Sequence, residues 1–180
     1  MNVLAISGSL RKASYNTALL KAARTVAPDG MSIDIATLDD IPLYNGDADG
    51  PEKPPAISEL GQAIRAADGV LMATPEYNFS VSGVLKNAID WVSRIENQPL
   101  AGKPLGIMGA AAGGLGTARA QYHLRQVFVY LDARVMNRPE LFVGGAYAKF
   151  DSDGNLTDDD TSKFLTAYLL SFQNWVARSG

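Results

Sequence analysis

Short apolar runs alternate with longer amphipathic stretches along the whole chain. Apolar runs at residues 3–6, 70–73 and 105–108 predict buried strands, and Ile33 and Ile35 alternate with polar neighbours as in a further strand. A fifth strand comprises 135–136 and 141–143, with an interruption near Pro139. Runs of this length, bounded by glycine, proline and small polar residues, are typical of strands inside a sheet. Because helical stretches separate them, the pattern predicts a parallel sheet with helices on both faces.

The stretches between the strands carry apolar residues at helical spacing. Leu19 and Ala23 share one face of a first helix, for which Asn16 is the predicted N-cap. Ser58 is predicted to open the second helix, and the last helix is predicted to begin at 158–160. No internal repeat interrupts the pattern, so the 180 residues are predicted to form a single domain, 1–180.

Five parallel strands fit the order 2-1-3-4-5 better than the six-stranded doubly wound order. In the five-stranded order the winding direction reverses between the first and third strands. Ligands bind at that point, beyond the carboxyl ends of the strands. We therefore expect the functional site on the loops that follow Ile6 and Ala73.

The loop after the first strand is rich in hydrogen-bond donors. Ser9, Ser14 and Asn16 have polar side chains, and Arg11 adds a positive charge. The free N–H groups of the following helix contribute more donors, so this loop is a candidate phosphate cradle. It has neither the Gly-Lys-Ser/Thr end of a P-loop nor a G-x-G-x-x-G fingerprint. The alternative is an ordinary polar loop with a helix cap.

The loop after the third strand carries aromatic residues. Tyr77 and Phe79 could flank a planar ring, while Asn78 and backbone groups bond its polar edge. Pro75 stiffens the exit from the strand. The alternative is that both aromatic rings only pack over the edge of the sheet.

Composition limits the chemistry that the chain itself can supply. Cysteine is absent, which excludes thiolate nucleophiles, disulfides and iron–sulfur ligation, so redox chemistry requires a bound cofactor. His123 is the only histidine, and Leu156 stands where a calcium loop beginning at Asp151 would need glycine. No metal site is expected.

Charge and hydropathy narrow the range of partners. The formal net charge of −3 disfavours nucleic acid, and no apolar stretch reaches the length of a membrane span. The N-terminus lacks the basic start and long apolar run of a signal peptide. We expect a cytoplasmic protein with neither a nucleic-acid nor a membrane partner.

Several motifs occur together in the sequence. The first is Gly8-Ser9-Leu10-Arg11 with Ser14 and Asn16. The others are Pro-Glu-Tyr-Asn at 75–78, Leu-Lys-Asn-Ala-Ile-Asp-Trp at 85–91, Leu-Ala-Gly-Lys-Pro at 100–104 and Gln-Tyr-His-Leu-Arg at 121–125. Together they resemble the motifs of the NADPH-dependent FMN reductase family, above all its chromate and quinone reductase branch. The similarity covers nearly the whole chain.

The resemblance implies a flavodoxin-like three-layer sandwich that binds FMN noncovalently. It implies that the first loop holds the phosphate and that the third loop surrounds the isoalloxazine. The implied cofactor-binding residues are Ser9, Leu10, Arg11, Ser14, Tyr15, Asn16, Pro75, Glu76, Tyr77, Asn78, Phe79 and Ala111. One departure is that Ala110 and Ala111 stand where relatives commonly have a serine near the flavin, so a contact there has to come from the backbone.

The activity that the resemblance implies is a ping-pong transfer. Hydride passes from NADPH or NADH to N5 of FMN, and a quinone or a similar acceptor (chromate, an azo compound or free flavin) then takes the electrons. The flavin supplies the chemistry, so no catalytic side chain is expected. The family also implies a homodimer or homotetramer, with Arg119, Tyr122 and Glu140 at contacts between subunits. The alternatives are a flavodoxin-type FMN electron carrier without NAD(P)H activity and a scaffold that has lost its flavin.

Overall fold

The computed structural model describes residues 1–179. In chain order the strands are β1 (Asn2–Ser7), β2 (Ser32–Ala36), β3 (Gly69–Ala73), β4 (Glu76–Tyr77), β5 (Ser80–Val81), β6 (Pro104–Ala110), β7 (Arg134–Val135) and β8 (Leu141–Val143). The helices are α1 (Tyr15–Thr25), α2 (Pro55–Ala66), α3 (Gly83–Val92), α4 (Ala118–Tyr130) and α5 (Asp159–Ser179).

The main sheet is parallel and has the order β2-β1-β3-β6, with β7 and β8 both paired to the far side of β6. Ile6 of β1 lies opposite Met72 of β3, so the two strands end together at one edge. The predicted order 2-1-3-4-5 is confirmed: β6 is the fourth strand, and β7 with β8 forms the interrupted fifth strand. Strands β4 and β5 form a separate antiparallel hairpin.

Neighbouring residues of the strands point into two different cores, one on each face of the sheet. Ala5 belongs to the core formed with α1 and α5, where Leu19 and Phe172 are buried. Ile6 belongs to the core formed with α2, α3 and α4, where Phe128 is buried. This alternation along β1 is the period of two that a strand imposes, and it produces the three-layer sandwich.

Two predicted helix starts need correction. The N-cap of α1 is Ser14 and not Asn16: the Ser14 hydroxyl accepts from the N–H groups of Asn16 and Thr17, at 3.2 and 3.4 Å. Helix α2 begins at Pro55, three residues before Ser58. Proline is suited to the first turn because its missing N–H would have no partner there.

A long segment, 37–54, connects β2 to α2 and is fixed to α3. The side chain of Asn87 accepts from the Tyr44 N–H at 2.8 Å and donates to the Pro42 carbonyl at 2.8 Å. The indole of Trp91 donates to the same carbonyl at 2.9 Å. Residues of the motif at 85–91 therefore hold the segment 37–54 against α3. No helix within residues 1–179 is both long and apolar enough to cross a bilayer.

Candidate functional site

A crevice opens between the loops that follow β1, β3 and β6, which is the switch point of the sheet. Every predicted binding residue lines it except Leu10, Asn78 and Phe79. The lining consists of Ser9, Arg11, Ser14, Tyr15, Asn16, Pro75, Glu76, Tyr77, Ala110, Ala111 and Ala112. The structure thus brings nine of the twelve predicted binding residues together in one crevice, and their contacts with a cofactor stay predictions.

The first loop is tied to the end of β6 by Asn16. Its side-chain Nδ2 donates to the Ala110 carbonyl at 3.0 Å, and its Oδ1 accepts from the Ala110 N–H at 2.9 Å. Asn16 is only 3 % exposed, so these bonds lie in the protein interior. The amide of Asn16 is therefore engaged with the neighbouring loop, and its predicted contact with a phosphate stays a prediction.

The first loop is also tied to the third. The Gly8 N–H donates to the Ala73 carbonyl at 2.8 Å, and the Ser82 hydroxyl donates to the Gly8 carbonyl at 2.6 Å. A Cβ at Gly8 would lie 3.1 Å from the Ala73 oxygen and 3.2 Å from Pro75. Glycine allows this close approach, which sets the two loops against each other across the switch point.

The Ser14 end of the crevice collects hydrogen-bond donors. Within residues 1–179, no protein atom accepts a hydrogen bond from the backbone N–H groups of Lys12, Ala13 and Tyr15. They lie at the N-terminus of α1, where the helix dipole also favours an anion. The exposed guanidinium of Arg11 stands 5.7 Å from the centre of the Tyr15 ring. This arrangement suits a phosphate group.

The hairpin β4–β5 forms the other wall. Asn78 and Phe79 make its two-residue turn, with φ of 51° and 64°. Positive φ at both positions is typical of a type I′ turn, in which the second place favours glycine. Phe79 is 62 % exposed and Tyr77 is 54 % exposed, so the hairpin presents two aromatic rings to solvent. A bulky residue in this conformation stores strain.

Side chains of the hairpin are bonded to α4. Glu76 accepts from the N–H groups of Arg119 and Ala120 at 3.0 and 3.2 Å, which caps the helix. The Arg119 guanidinium lies 3.5 Å from the same carboxylate and 3.9 Å from the centre of the Phe79 ring. Sequence reasoning placed Glu76 beside a ring and missed this cap. No local signal in the sequence marks this cap, because Thr117 is itself a residue type that caps helices, although its side chain makes no cap for α4.

The loop after β6 approaches the crevice through small residues. The N–H of Ala111 donates to the Val143 carbonyl at 3.0 Å, and its own carbonyl accepts from Ala146 at 3.1 Å. Ala111 thus offers mainly its methyl group to the crevice. A Cβ at Gly109 would lie 2.0 Å from the Thr117 hydroxyl, so only glycine fits there.

Beside the hairpin, α4 exposes Tyr122, which is bonded to Glu140. Accepting this hydrogen bond, the Glu140 carboxylate raises the pKa of Tyr122 above its ordinary value. His123 is also exposed on α4, and its Nδ1 lies 3.1 Å from the Ser80 hydroxyl of the hairpin. The lone histidine therefore makes a contact between elements.

Comparison with known proteins identifies the family. The model of the NADPH-dependent FMN reductase family matches residues 1–148. The chain belongs to the NADPH-dependent FMN reductase family. It is 52 % identical over 178 residues to an NAD(P)H-dependent FMN reductase of Pseudomonas aeruginosa, covering 99 % of this chain and 96 % of that protein. It is 46 % identical over 181 residues to a quinone reductase of Escherichia coli, covering 99 % and 96 %.

A solved structure of a flavoenzyme agrees with the fold. The flavoenzyme NAD(P)H:(acceptor) oxidoreductase of Paracoccus denitrificans superposes with a TM-score of 0.90 at 34 % identity, covering 99 % of this chain and 98 % of that one. The family predicted from the motifs is confirmed, and so is the flavodoxin-like fold. Membership of this reductase family also supports the predicted class of enzyme, an FMN- and NAD(P)H-dependent oxidoreductase.

Proposed function

We propose that the protein is an FMN-dependent NAD(P)H oxidoreductase that passes electrons to quinones or similar small acceptors. The observation that carries this proposal is the crevice at the switch point, in which a cradle of donors and an aromatic hairpin form the walls of one opening. The names of the relatives from P. aeruginosa and E. coli support the same chemistry.

The first loop is the proposed phosphate site. The Ser14 oxygen accepts two backbone hydrogen bonds, and its hydroxyl proton donates to no partner within residues 1–179, so it can donate to a phosphate. Ser9 and Arg11 add a hydroxyl and a charge, and the stretch from Leu10 to Tyr15 adds backbone donors. Asn16 acts through Ala110, since it fixes the loop against β6.

The third loop is the proposed isoalloxazine site. Main-chain groups of 75–77 and the Tyr77 ring are positioned to bound a planar ring, and Ala111 offers an apolar contact from the other side. Asn78 and Phe79 belong to the turn of the hairpin rather than to the lining. Their proposed contribution is therefore to hold the hairpin in place.

The proposed reaction follows from the open side of the crevice, where small molecules can reach a bound flavin. FMN held by the first and third loops would supply a hydride acceptor at N5 and a donor of electrons to the second substrate. The chain binds and orients the reactants. The dinucleotide and the acceptor would contact the same exposed face of the flavin one after the other, which gives a ping-pong order. Solvent can protonate a reduced quinone, so we assign no catalytic side chain. Chromate, azo compounds and free flavin are further acceptors of the same kind.

We also propose that the protein works as a homodimer or homotetramer. Arg119, Tyr122 and Glu140 lie on an exposed surface beside the hairpin, and Tyr122 is 52 % exposed. Exposed tyrosine and arginine side chains are enriched at interfaces between proteins. Light scattering after gel filtration tests this proposal, and a monomer at micromolar concentration would refute it. The cytoplasmic location stays a prediction, which cell fractionation tests.

The function is tested on the purified protein by its visible spectrum. We expect a flavin spectrum that bleaches when NADPH or NADH is added without oxygen, and turnover of menadione in steady state. Arg11→Ala should raise the Kd for FMN about tenfold, because it removes a charged contact. Arg24→Ala, at the other end of α1, is the control with the same change of charge.

Two results would count against the proposal. A colourless protein that does not bind FMN at micromolar concentration would refute the flavin site. A yellow protein that neither NADH nor NADPH reduces would instead favour a flavodoxin-type electron carrier.

A further inference from the structure

Two grooves meet on the surface formed by β7, the C-terminal half of α4 and the C-terminal end of α5. They share Trp175 and Arg178 among their lining residues. Arg134 of β7 pairs with Pro104 at the start of β6, whereas Ala110 at the end of β6 lines the crevice. The length of β6, about 20 Å at the usual rise of a strand, therefore separates Arg134 from the crevice.

The residues that line these two grooves include four arginines and no carboxylate. The arginines are Arg125, Arg134, Arg138 and Arg178, and we call the joined grooves the arginine groove. None of the four forms an ion pair within residues 1–179. The chain as a whole has a formal net charge of −3, so this positive charge is concentrated at one place on the surface.

Carboxylates close by along the chain do not neutralise the groove. Asp132 and Glu140 flank the arginines in the sequence, but neither of them lines the groove. The Glu140 carboxylate accepts a hydrogen bond from Tyr122, and neither acid forms an ion pair within residues 1–179. Even one further carboxylate at the groove would leave most of its guanidinium groups without a counter-ion.

Bonds to the protein hold three of the guanidinium groups in position. Arg125 donates to the Met136 carbonyl at 3.1 Å. Arg134 and Arg178 each donate to a backbone carbonyl of α5. A guanidinium has five N–H groups, so each of these side chains keeps donors for a ligand. Arg138 is exposed and makes no side-chain hydrogen bond within residues 1–179, so all of its donors are available.

The indole of Trp175 lines both grooves and presents only its ring to a ligand. Its N–H is already engaged, since it donates to the Arg134 carbonyl at 2.8 Å. The polar contacts of a ligand therefore have to come from the guanidinium groups. Their paired N–H donors match two oxygens of a phosphate group, which they can bind side by side.

We propose that the arginine groove binds the phosphate groups of a multivalent anion, at a site separate from the crevice. Four arginines without counter-ions favour a ligand that carries several negative charges close together. Such phosphate groups occur in a soluble polyphosphate and also in a surface of anionic lipid headgroups. The inference does not depend on the proposed flavin site, because the arginine groove and the crevice have no lining residue in common.

The test is a calorimetric titration of the protein with pyrophosphate in the presence of saturating FMN, which occupies the proposed cradle of the first loop. Arg138→Gln and Arg178→Gln should each raise the Kd for pyrophosphate about tenfold, through the loss of one charged contact. Arg138→Lys keeps the charge and should raise it less. Arg24→Gln, at an exposed position of α1, is the matched control and should leave the Kd unchanged.

Cosedimentation with lipid vesicles distinguishes the two sources of phosphate. Binding of pyrophosphate without enrichment on phosphatidylglycerol vesicles, compared with phosphatidylcholine vesicles, indicates a soluble ligand. Enrichment on phosphatidylglycerol vesicles without binding of pyrophosphate indicates a lipid surface. In both cases Arg138→Gln and Arg178→Gln have to weaken the binding that is observed, and Arg24→Gln has to leave it unchanged.

Three results would overturn the inference. The first is that neither probe binds at millimolar phosphate. The second is binding that both glutamine variants leave unchanged, because the phosphate would then lie elsewhere. The third is a fall in the molecular mass of both variants in solution while pyrophosphate binding stays the same, which would make the arginine groove a contact between subunits. Urea unfolding of each variant checks that weaker binding does not come from a damaged fold.

Failure of this inference differs from failure of the proposed function. The glutamine variants should bind FMN as tightly as the natural protein, because the arginines lie away from the crevice. A protein that binds and uses FMN but neither phosphate probe refutes the arginine groove alone. A protein that binds pyrophosphate through these arginines but no FMN refutes the proposed oxidoreductase alone.

Discussion

The side chain of Asn16 and the backbone of Ala110, 94 residues apart, satisfy each other with two hydrogen bonds of 3.0 and 2.9 Å. The pair joins the start of α1 to the end of β6. It therefore sets the distance between the first loop and the loop after β6, which are two walls of the crevice. Both partners are buried, so water cannot replace either bond.

Asn16→Ala should destabilise the protein substantially. The variant leaves the N–H and carbonyl of Ala110 buried without a partner, which costs about 3 kcal/mol of unfolding free energy. Urea unfolding of the FMN-free protein measures this loss. Asn174→Ala, at an exposed position of α5, is the control and should change stability by less than about 0.5 kcal/mol. Equal stabilities of the two variants would contradict the role assigned to the pair.

Gly109, inside β6 near its end, and Gly113, in the loop that follows, should respond very differently to substitution. A Cβ at Gly109 would lie 2.0 Å from the Thr117 hydroxyl and 2.5 Å from the Thr74 carbonyl, whereas a Cβ at Gly113 meets open space. Gly109→Ala should therefore cost about 3 kcal/mol or more through overpacking. Gly113→Ala should stay within about 1 kcal/mol of the natural protein. Thermal unfolding of both variants decides this, and a neutral Gly109→Ala would show that the loop can move away from Thr117.

Replacing Phe79, the strained residue of the hairpin, should lower activity without lowering the stability of the protein. Phe79→Gly relieves a positive φ that costs about 1–2 kcal/mol for a residue with a side chain. It also removes the stacking with Arg119, which is worth about 0.5–1 kcal/mol at an exposed site. We therefore expect a stability equal to or slightly above that of the natural protein, measured by urea unfolding.

Activity of the same variant gives the second measurement. Because the Phe79 ring holds the hairpin against α4 through Arg119, Phe79→Gly should lower kcat/KM for menadione although the protein is no less stable. Phe79→Tyr, which keeps the ring, is the control for this comparison. A loss of stability above about 1 kcal/mol in Phe79→Gly would contradict the assignment of strain to this turn.

Alkaline pH should weaken the fold through Tyr168. This side chain is buried, and its hydroxyl donates to the Ile107 carbonyl at 2.9 Å. Burial raises the pKa of Tyr168 above its ordinary value near 10. The unfolded chain loses this proton first, so the contribution to stability is complete below pH 10 and is lost as the pH rises towards the pKa of the folded state.

The measurement is the unfolding free energy between pH 9 and 11. Tyr168 should contribute a decline of up to about 1.4 kcal/mol per pH unit above pH 10, which Tyr168→Phe removes at a cost of about 1 kcal/mol at neutral pH. Tyr130→Phe is the control, because Tyr130 is 88 % exposed, and it should leave the decline unchanged. If the unfolding free energy of the natural protein and of Tyr168→Phe fell equally with rising pH, Tyr168 would be ruled out as the cause of the decline.

The sequence predicts the strands and their order well because that information is local. The central strands β1, β3 and β6 contain continuous apolar runs, and helical stretches between the strands allow few topologies. The sequence misplaces the N-cap of α1 by two positions because Ser14 and Asn16 are both good caps, and only the backbone geometry selects Ser14. The motifs further indicated which loops meet at the switch point.

The details of the site depend on partners that no local pattern reveals. Glu76 caps a helix that begins 43 residues later, and Asn16 bonds a backbone 94 residues away. Both residues belong to recognised motifs, so a role at the ligand was the natural expectation for each. In the structure their polar atoms hold elements of the protein together, while both residues also line the crevice, so their contacts with the cofactor stay predictions.

The bond between Asn16 and Ala110 also bears on the order in which the protein acquires its shape during synthesis. Residues 9–16 leave the ribosome early, but the strand that immobilises them ends at residue 110. A nascent chain shorter than this has all the polar groups of the first loop without the backbone that orients them. Tight capture of a phosphorylated cofactor should therefore begin only after β6 has emerged and docked.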